Sequence, residues 1–323
     1  VTRDRPSLDP NNRPGGPRLV VTAKTANKVQ FFDAGSLVRT GEIDMPASTH
    51  EMVLSSDGRA VYASVYGGGI FGKNANPDRR VALIDLEGMR VARMIDAGAD
   101  VAPHGVMLDR DGQLWCTAEL GNAVLVIDPA TGAAHSIATG KAAHWLVVSH
   151  ATDKVFASCK TSDFVAVIDR TKRVVTGRLP IPDLAEGLCV SPDGGTLFVC
   201  AHRTPTLYVF DTASEALRRT VTIAGGEGKP NQLKRVRVSP DGRFVCVSSL
   251  LDSHAAIFDA ASMAQIASIA TRKAPMGFGF AADGEHAFLC CHDDAVVLEF
   301  ELSSGRIARQ FATASGCEYI VAY

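Results

Sequence analysis

Seven residues at one place in a repeating pattern carry the chemistry open to this chain. His50, His104, His144, Glu186, Lys234 and Met276 each open a hydrophobic segment that runs into a turn, and Glu318 opens a seventh. Three imidazoles, two carboxylates and an amine are a poor choice for a purely structural position. Neutral histidine is a good ligand for Zn, Mn, Fe or Ni, and three histidines leave room on the ion for water or substrate. The expected divalent metal site is therefore His50, His104 and His144, with Glu186 as a fourth ligand. Glu186 and Glu318 are also the carboxylates placed to act as a general base.

A second position recurs at the end of the neighbouring strand. It reads Lys24, Tyr66, Glu119, Lys160, His202, Leu250 and His292. Lys24, Lys160 and Lys234, with Lys229 in a loop, suit a carboxylate or phosphate as point charges. Glu119 and His292 join them as substrate-binding groups, and Tyr66 and His202 are expected to move protons. Other signatures are missing. The chain has no GxSxG or Ser-His-Asp pattern for a serine hydrolase, no HExxH or phosphate loop, and no CxxCH for haem.

These residues lie far apart in sequence, so the fold must gather them. Turn aspartates at 57, 111, 153, 193, 241 and 283 recur at intervals of 40 to 54 residues. A four-stranded propeller blade spans roughly 40–45 residues. Within one unit, Leu188-Cys189-Val190 reads as strand A, Thr196 to Ala201 as B, Thr206 to Phe210 as C and Leu217 to Ile223 as D. The runs are short, rich in β-branched and aromatic residues, and separated by Gly, Pro, Asp and Ser. Arg18 to Lys24, Lys28 to Phe32 and Arg39 to Asp44 read as B, C and D without an A, and Glu318 to Tyr323 as an A alone. Joining them makes a seventh blade and removes the free sheet edges. The expectation is an all-β, seven-bladed β-propeller of four-stranded antiparallel blades over 18–323, with a flexible N-terminal arm at 1–17. Strand A lines the central channel, and its start shares a rim with the end of strand B. Both chemical positions then meet at one channel mouth. Two long connections, 66–80 and 224–232, fall on that rim and read as a lid or wall. Asp85, Asp128, Asp169, Asp211 and Asp259 recur at outer turns and read as structural.

Composition sets the remaining limits. The 323 residues are 46% hydrophobic and 21% charged with a formal net charge of −2, which gives no support for a nucleic-acid or membrane surface. The eight cysteines sit mostly in strand-like runs and form no CxxC pair, so they read as buried hydrophobes in a reducing, cytoplasmic setting. A processed N-terminus would instead allow a periplasmic one.

The units Leu19-Val20-Val21-Thr22-Ala23-Lys24, Ala123-Val124-Leu125-Val126-Ile127-Asp128 and Leu197-Phe198-Val199-Cys200-Ala201-His202, with Ser-Pro-Asp-Gly turns at 191–194 and 239–242, resemble the YVTN-type propeller repeat. They also look like the seven-bladed lactonase-like propellers. The resemblance runs from Arg18 onward and is specific for fold. It departs at the end of strand B, where the family repeat carries Asn and this chain carries the second chemical position. The residues and the resemblance together imply a metal-dependent enzyme acting on a small anionic, carboxylate-bearing substrate. The reaction is elimination, a lyase activity, or lactone-type hydrolysis, a hydrolase activity that the lactonase-like resemblance slightly favours. The competing reading is a propeller scaffold or ligand-binding protein without chemistry. Oligomeric state is open.

Overall fold

A computed structural model of the chain describes residues 16–99, 101–224 and 232–323. The described residues form 28 strands in seven four-stranded antiparallel sheets and no helix. The ring closes as its sequence pattern requires. The last strand, Cys317–Ala322, pairs with the first, Arg18–Ala23, with Val20 opposite Val321 and Thr22 opposite Tyr319. Of the arm expected at 1–17, all but residues 16 and 17 lies outside the described residues.

Each blade buries its first three strands and exposes much of its fourth. Thr196–Ala201 is buried almost throughout, whereas Leu217–Thr222 in the same blade is mostly exposed. The apolar residues on the blade faces pack against the next blade: Phe198 and Val209 meet Val236, Val247 and Phe258, and Leu19 and Phe32 meet Phe288 and Val297. All eight cysteines are buried as free thiols. Asp128, Asp169, Asp211 and Asp259 accept backbone N–H bonds within their hairpin turns, so their recurrence is structural.

Two devices place the inner strands. The first is a β-bulge at the opening residue of all seven. In the His144 blade, Ala143 faces Cys159 but Leu146 faces Ala157, so one extra residue enters the inner strand. The same shift occurs at His50, His104, Glu186, Lys234, Met276 and Glu318. A bulge re-aims side chains that strict alternation would send to opposite faces. The second device is a hydroxyl two residues before the end of strand B. The Thr117 hydroxyl accepts from Gly105 N–H at 2.8 Å in its own blade and donates to His144 O at 2.8 Å in the next. Ser64 does the same between Glu51 N and His104 O, Thr22 between Tyr319 N and His50 O, and Ser248 between Arg235 N and Met276 O. These four bridges each tie a blade to the backbone of its neighbour's opening residue. Close approach also explains two glycines: a Cβ on Gly187 would lie 2.5 Å from Lys234 O, and one on Gly277 2.7 Å from Glu318 O.

The connection at 66–80 differs from the expected loop. Most of it is strand, because Ala60–Gly68 and Asn76–Asp85 run on as a paired hairpin, with Gly68 opposite Asn76. The tip turns at Gly69, whose φ of 131° and 2.3 Å approach to Lys73 O exclude a side chain. The other long connection, 224–232, lies outside the described residues except at its ends, and Lys229 with it.

Candidate active site at the channel mouth

A cavity of about 710 Å3 opens at the mouth and is lined by twelve residues of the two recurring positions, from Lys24, His50 and Tyr66 round to His292 and Glu318. Met276 packs into the wall between blades instead. His202 lines an adjoining depression with Phe71, Lys160 and Leu251.

The three histidines of consecutive blades stack in a row. Ring centroids are 4.5 Å apart for His50 and His104, and 3.8 Å for His104 and His144. Burial pushes His50 and His104 well below the ordinary histidine value, with nearby cations adding to the effect, so both rings are neutral. Among the described residues, both ring nitrogens of His50 and Nδ1 of His104 are buried without a hydrogen-bond partner. His144 is fully engaged. Its Nδ1 lies 2.5 Å from Glu119 Oε2, and its Nε2 is 3.2 Å from Glu186 Oε1 and 3.4 Å from Lys160 Nζ. Glu119 also accepts from the Tyr66 hydroxyl at 2.5 Å. Burial opposes ionisation of Glu119, but the His144 and Tyr66 bonds outweigh it and lower its pKa. Tyr66 responds in the opposite sense: burial, then the Glu119 charge, push the phenol up. Tyr66 is thus both a packed aromatic and a polar member of the site.

Glu186 is the hub of a cationic group. Lys234 Nζ is 2.7 Å away, Lys160 Nζ 3.1 Å and His202 Nδ1 3.1 Å. Burial works against its charge, yet Lys160 and Lys234 hold it well below the usual carboxylate range. Lys234 is itself lowered to about 8, chiefly by burial and against the pull of Glu186. On the other side, Glu318 Oε1 lies 3.9 Å from His50 Nδ1, while its Oε2 has no hydrogen-bond partner among the described residues. Burial opposes its charge, but Lys24 and Arg235 keep Glu318 below its ordinary value. His292 reaches the same carboxylate at 3.9 Å and bonds Asp293 at 2.8 Å.

Among the described residues, the group of three donors whose atoms all lie within 4.8 Å of one another is His104, Glu119 and His144. This set shares His104 and His144 with the one expected from sequence, adds Glu119 and lacks His50 and Glu186; Glu186 lies against Lys160 and Lys234.

A second layer beneath the histidines escaped the sequence reading. Glu51, Trp145, Arg235 and Tyr319 each follow an opening residue, and a regular strand would turn them away from the channel. The bulges bring them inward. The Arg235 guanidinium sits 4.1 Å over the Trp145 ring, with Nη2 3.1 Å from Glu51 and 3.2 Å from Glu318. The Arg235 blade neighbours none of the blades that supply Trp145, Glu51 and Glu318, so its contacts reach across the channel. Burial pushes Glu51 up to about 8, against the pull of Arg235. The available signal was charge: Glu51 and Arg235 directly follow the opening residues His50 and Lys234.

No protein-family model matches the chain, and no curated protein does either. Solved structures define the class as a seven-bladed β-propeller. The periplasmic gluconolactonase PpgL of Pseudomonas aeruginosa is similar with a TM-score of 0.76 at 19% identity, over 95% of this chain and 98% of that one. Hydrazine synthase of Kuenenia stuttgartiensis is similar with a TM-score of 0.76 at 16% identity, over 89% and 93%. A functionally unknown protein of Desulfotomaculum acetoxidans is similar with a TM-score of 0.76 at 14% identity, over 93% and 98%. At such identities the likeness establishes architecture, and the site must argue for function.

Proposed function

We propose that this propeller is a metal-dependent enzyme that hydrolyses a small anionic lactone or related ester at the channel mouth. The observation that carries the reading is the row of buried imidazoles, with nitrogens of His50 and His104 left unpartnered beside ionised carboxylates. Neutral nitrogen donors and charged oxygens fit a divalent cation such as Zn, Mn, Fe or Ni. His104, His144 and Glu119 would hold it, with His50 adjacent. A bound divalent ion supplies Lewis-acid polarisation of the carbonyl.

The chain's own groups do the rest. Lys160, Lys234 and Lys24 attract and orient the anionic group of the substrate. Glu318 Oε2 is the ionised oxygen available to take the proton of an attacking water. Lys234, lowered to about 8, can return a proton to the leaving alkoxide. Elimination would take Tyr66, His202 or a lysine as its base, and Tyr66 is poorly suited, its phenol pushed up and bonded to Glu119. That one solved neighbour is titled a gluconolactonase makes lactones the first compounds to test. A binding role without chemistry draws support from one contact: Lys160 Nζ stands 3.4 Å from His144 Nε2, where a metal ion would compete with it.

Tag-free protein, assayed with a panel of lactones, hydroxy acids and uronates with and without added metal, tests the reading. Metal-dependent ring opening that falls at least about a hundredfold in Glu318→Gln supports it. Ligand binding without turnover, equal in the presence of a chelator, favours the binding protein.

A further inference from the structure

The lip of the cavity has a chemistry that the floor does not explain. Nine large hydrophobic residues are well exposed among the described ones. Five of them, Val38, Val174, Leu217, Ile266 and Ile307, stand at or beside the start of outermost strands, a repeat position spread around the circumference. The other four gather on the mouth face: Ile70 at 55% exposure, Phe71 at 37%, Leu120 at 43% and Leu251 at 53%. Ile70 and Phe71 come from the tip of the extended hairpin, and Leu120 and Leu251 directly follow Glu119 and Leu250. Ile70, Phe71, Leu250 and Leu251 all line the cavity.

The apolar residues also have a direction. Leu250 and Met276 are the two members of the recurring positions that carry no polar group, and they pack in one cluster. Around the seven-bladed ring, the Lys234 and Met276 blades that supply them lie opposite the His104 blade. The cavity therefore has a polar side built on the stacked histidines and, opposite it, an apolar side of Leu250, Leu251 and Ala274 that Ser253, Lys273 and Asp293 flank. Phe71 bridges the two, with its ring 6.5 Å from that of His144 and 4.8 Å from Lys160 Nζ. A fully hydroxylated sugar derivative would leave the apolar side without a partner and would lose hydrogen bonds against it.

We infer that the ligand of this site is amphipathic: a carboxylate or lactone head against the histidines and lysines, and an alkyl or acyl tail along Leu250 and Leu251 beneath Ile70 and Phe71. The inference rests on the proposed active site for the position of the head, but the tail site can be read by binding alone. A cavity of about 710 Å3 is of the size that takes a ligand of this kind.

Calorimetric titration of the full chain with propanoate, butanoate, hexanoate, octanoate and gluconate is the test. Affinity should rise roughly two- to fourfold per methylene along the straight-chain acids, with gluconate weaker than hexanoate. Leu251→Ser and Phe71→Ser should flatten that slope, and Leu217→Ser, on the outer circumference, should keep it. Leu251 and Phe71 are exposed enough for the substitutions to leave the fold intact, which circular dichroism checks. A flat series, tighter binding of gluconate, the same slope in Leu251→Ser, or no binding of any acid would each overturn the inference. A preserved slope with no turnover of any lactone would sink the enzymatic reading and leave this one standing.

Discussion

Charge at the channel mouth is set by burial working against close partners, and two residues make the balance measurable. Lys234 is lowered to about 8, so it is cationic below that pH and neutral above it. Binding of an anionic ligand should weaken as pH rises through about 8, and Lys234→Met should bind more weakly but without this dependence; titrations across pH check both. Glu51 shows the opposite linkage. Its folded pKa of about 8 lies above the ordinary 4.5, so the folded state holds its proton more tightly than the unfolded chain. Its contribution to stability is complete below about 4.5 and is lost as pH rises through about 8. Melting temperature should therefore fall over that window, and Glu51→Gln should flatten the fall. A wild-type and variant pair with parallel profiles would show that Glu51 does not titrate there. At this scale the sequence was half legible. His50, His104 and His144 stand out because the repeat exposes their equivalence. The pairing of Glu119 with His144 does not, because it depends on which rotamers neighbouring blades impose.

Side chains meet at the mouth because the inner strands are bulged and bridged. In four blades the bulge turns two successive side chains toward the channel and so produces the floor of Arg235, Glu51, Trp145 and Tyr319; in the other three the second residue is Gly105, Gly187 or Gly277. A strict period of two hid that layer from the sequence. The hydroxyl bridges were visible but unread: Thr22, Ser64, Thr117 and Ser248 all stand two residues before the second recurring position, at Lys24, Tyr66, Glu119 and Leu250. Thr117→Val keeps the side chain's shape and removes two buried hydrogen bonds, one to the backbone of His144. It should cost about 1–3 kcal/mol, seen as a lower urea midpoint, and should weaken ligand binding by displacing His144. An unchanged midpoint would mean that water or backbone adjustment replaces the bridge. The 66–80 segment shows another limit of sequence reading. Its length beyond the repeat suggested a loop, yet it is a hairpin whose arms remain strand and whose tip turns at Gly69.

For the molecule as a whole, closure of the ring carries the argument. The blade count, the strand order and the pairing of the C-terminal strand with Arg18–Ala23 were legible because each unit repeats its turn and its hydrophobic run. The direction of the cavity was legible as well, from the loss of generic residues on one rim only. What the repeat could not reveal was long-range and across the axis, such as Arg235 reaching both Glu51 and Glu318. The central claim is that a ring of blades delivers imidazoles from successive sheets to one ion. Elemental analysis of tag-free protein, purified without chelator and repeated after dialysis against Zn, Mn, Fe or Ni, tests it most directly. The account predicts close to one equivalent of a divalent metal per chain, lost in His104→Ala and in His144→Ala while the β-sheet circular dichroism persists. Protein that takes up no metal under any of these conditions, or variants that retain it in full, would contradict the account.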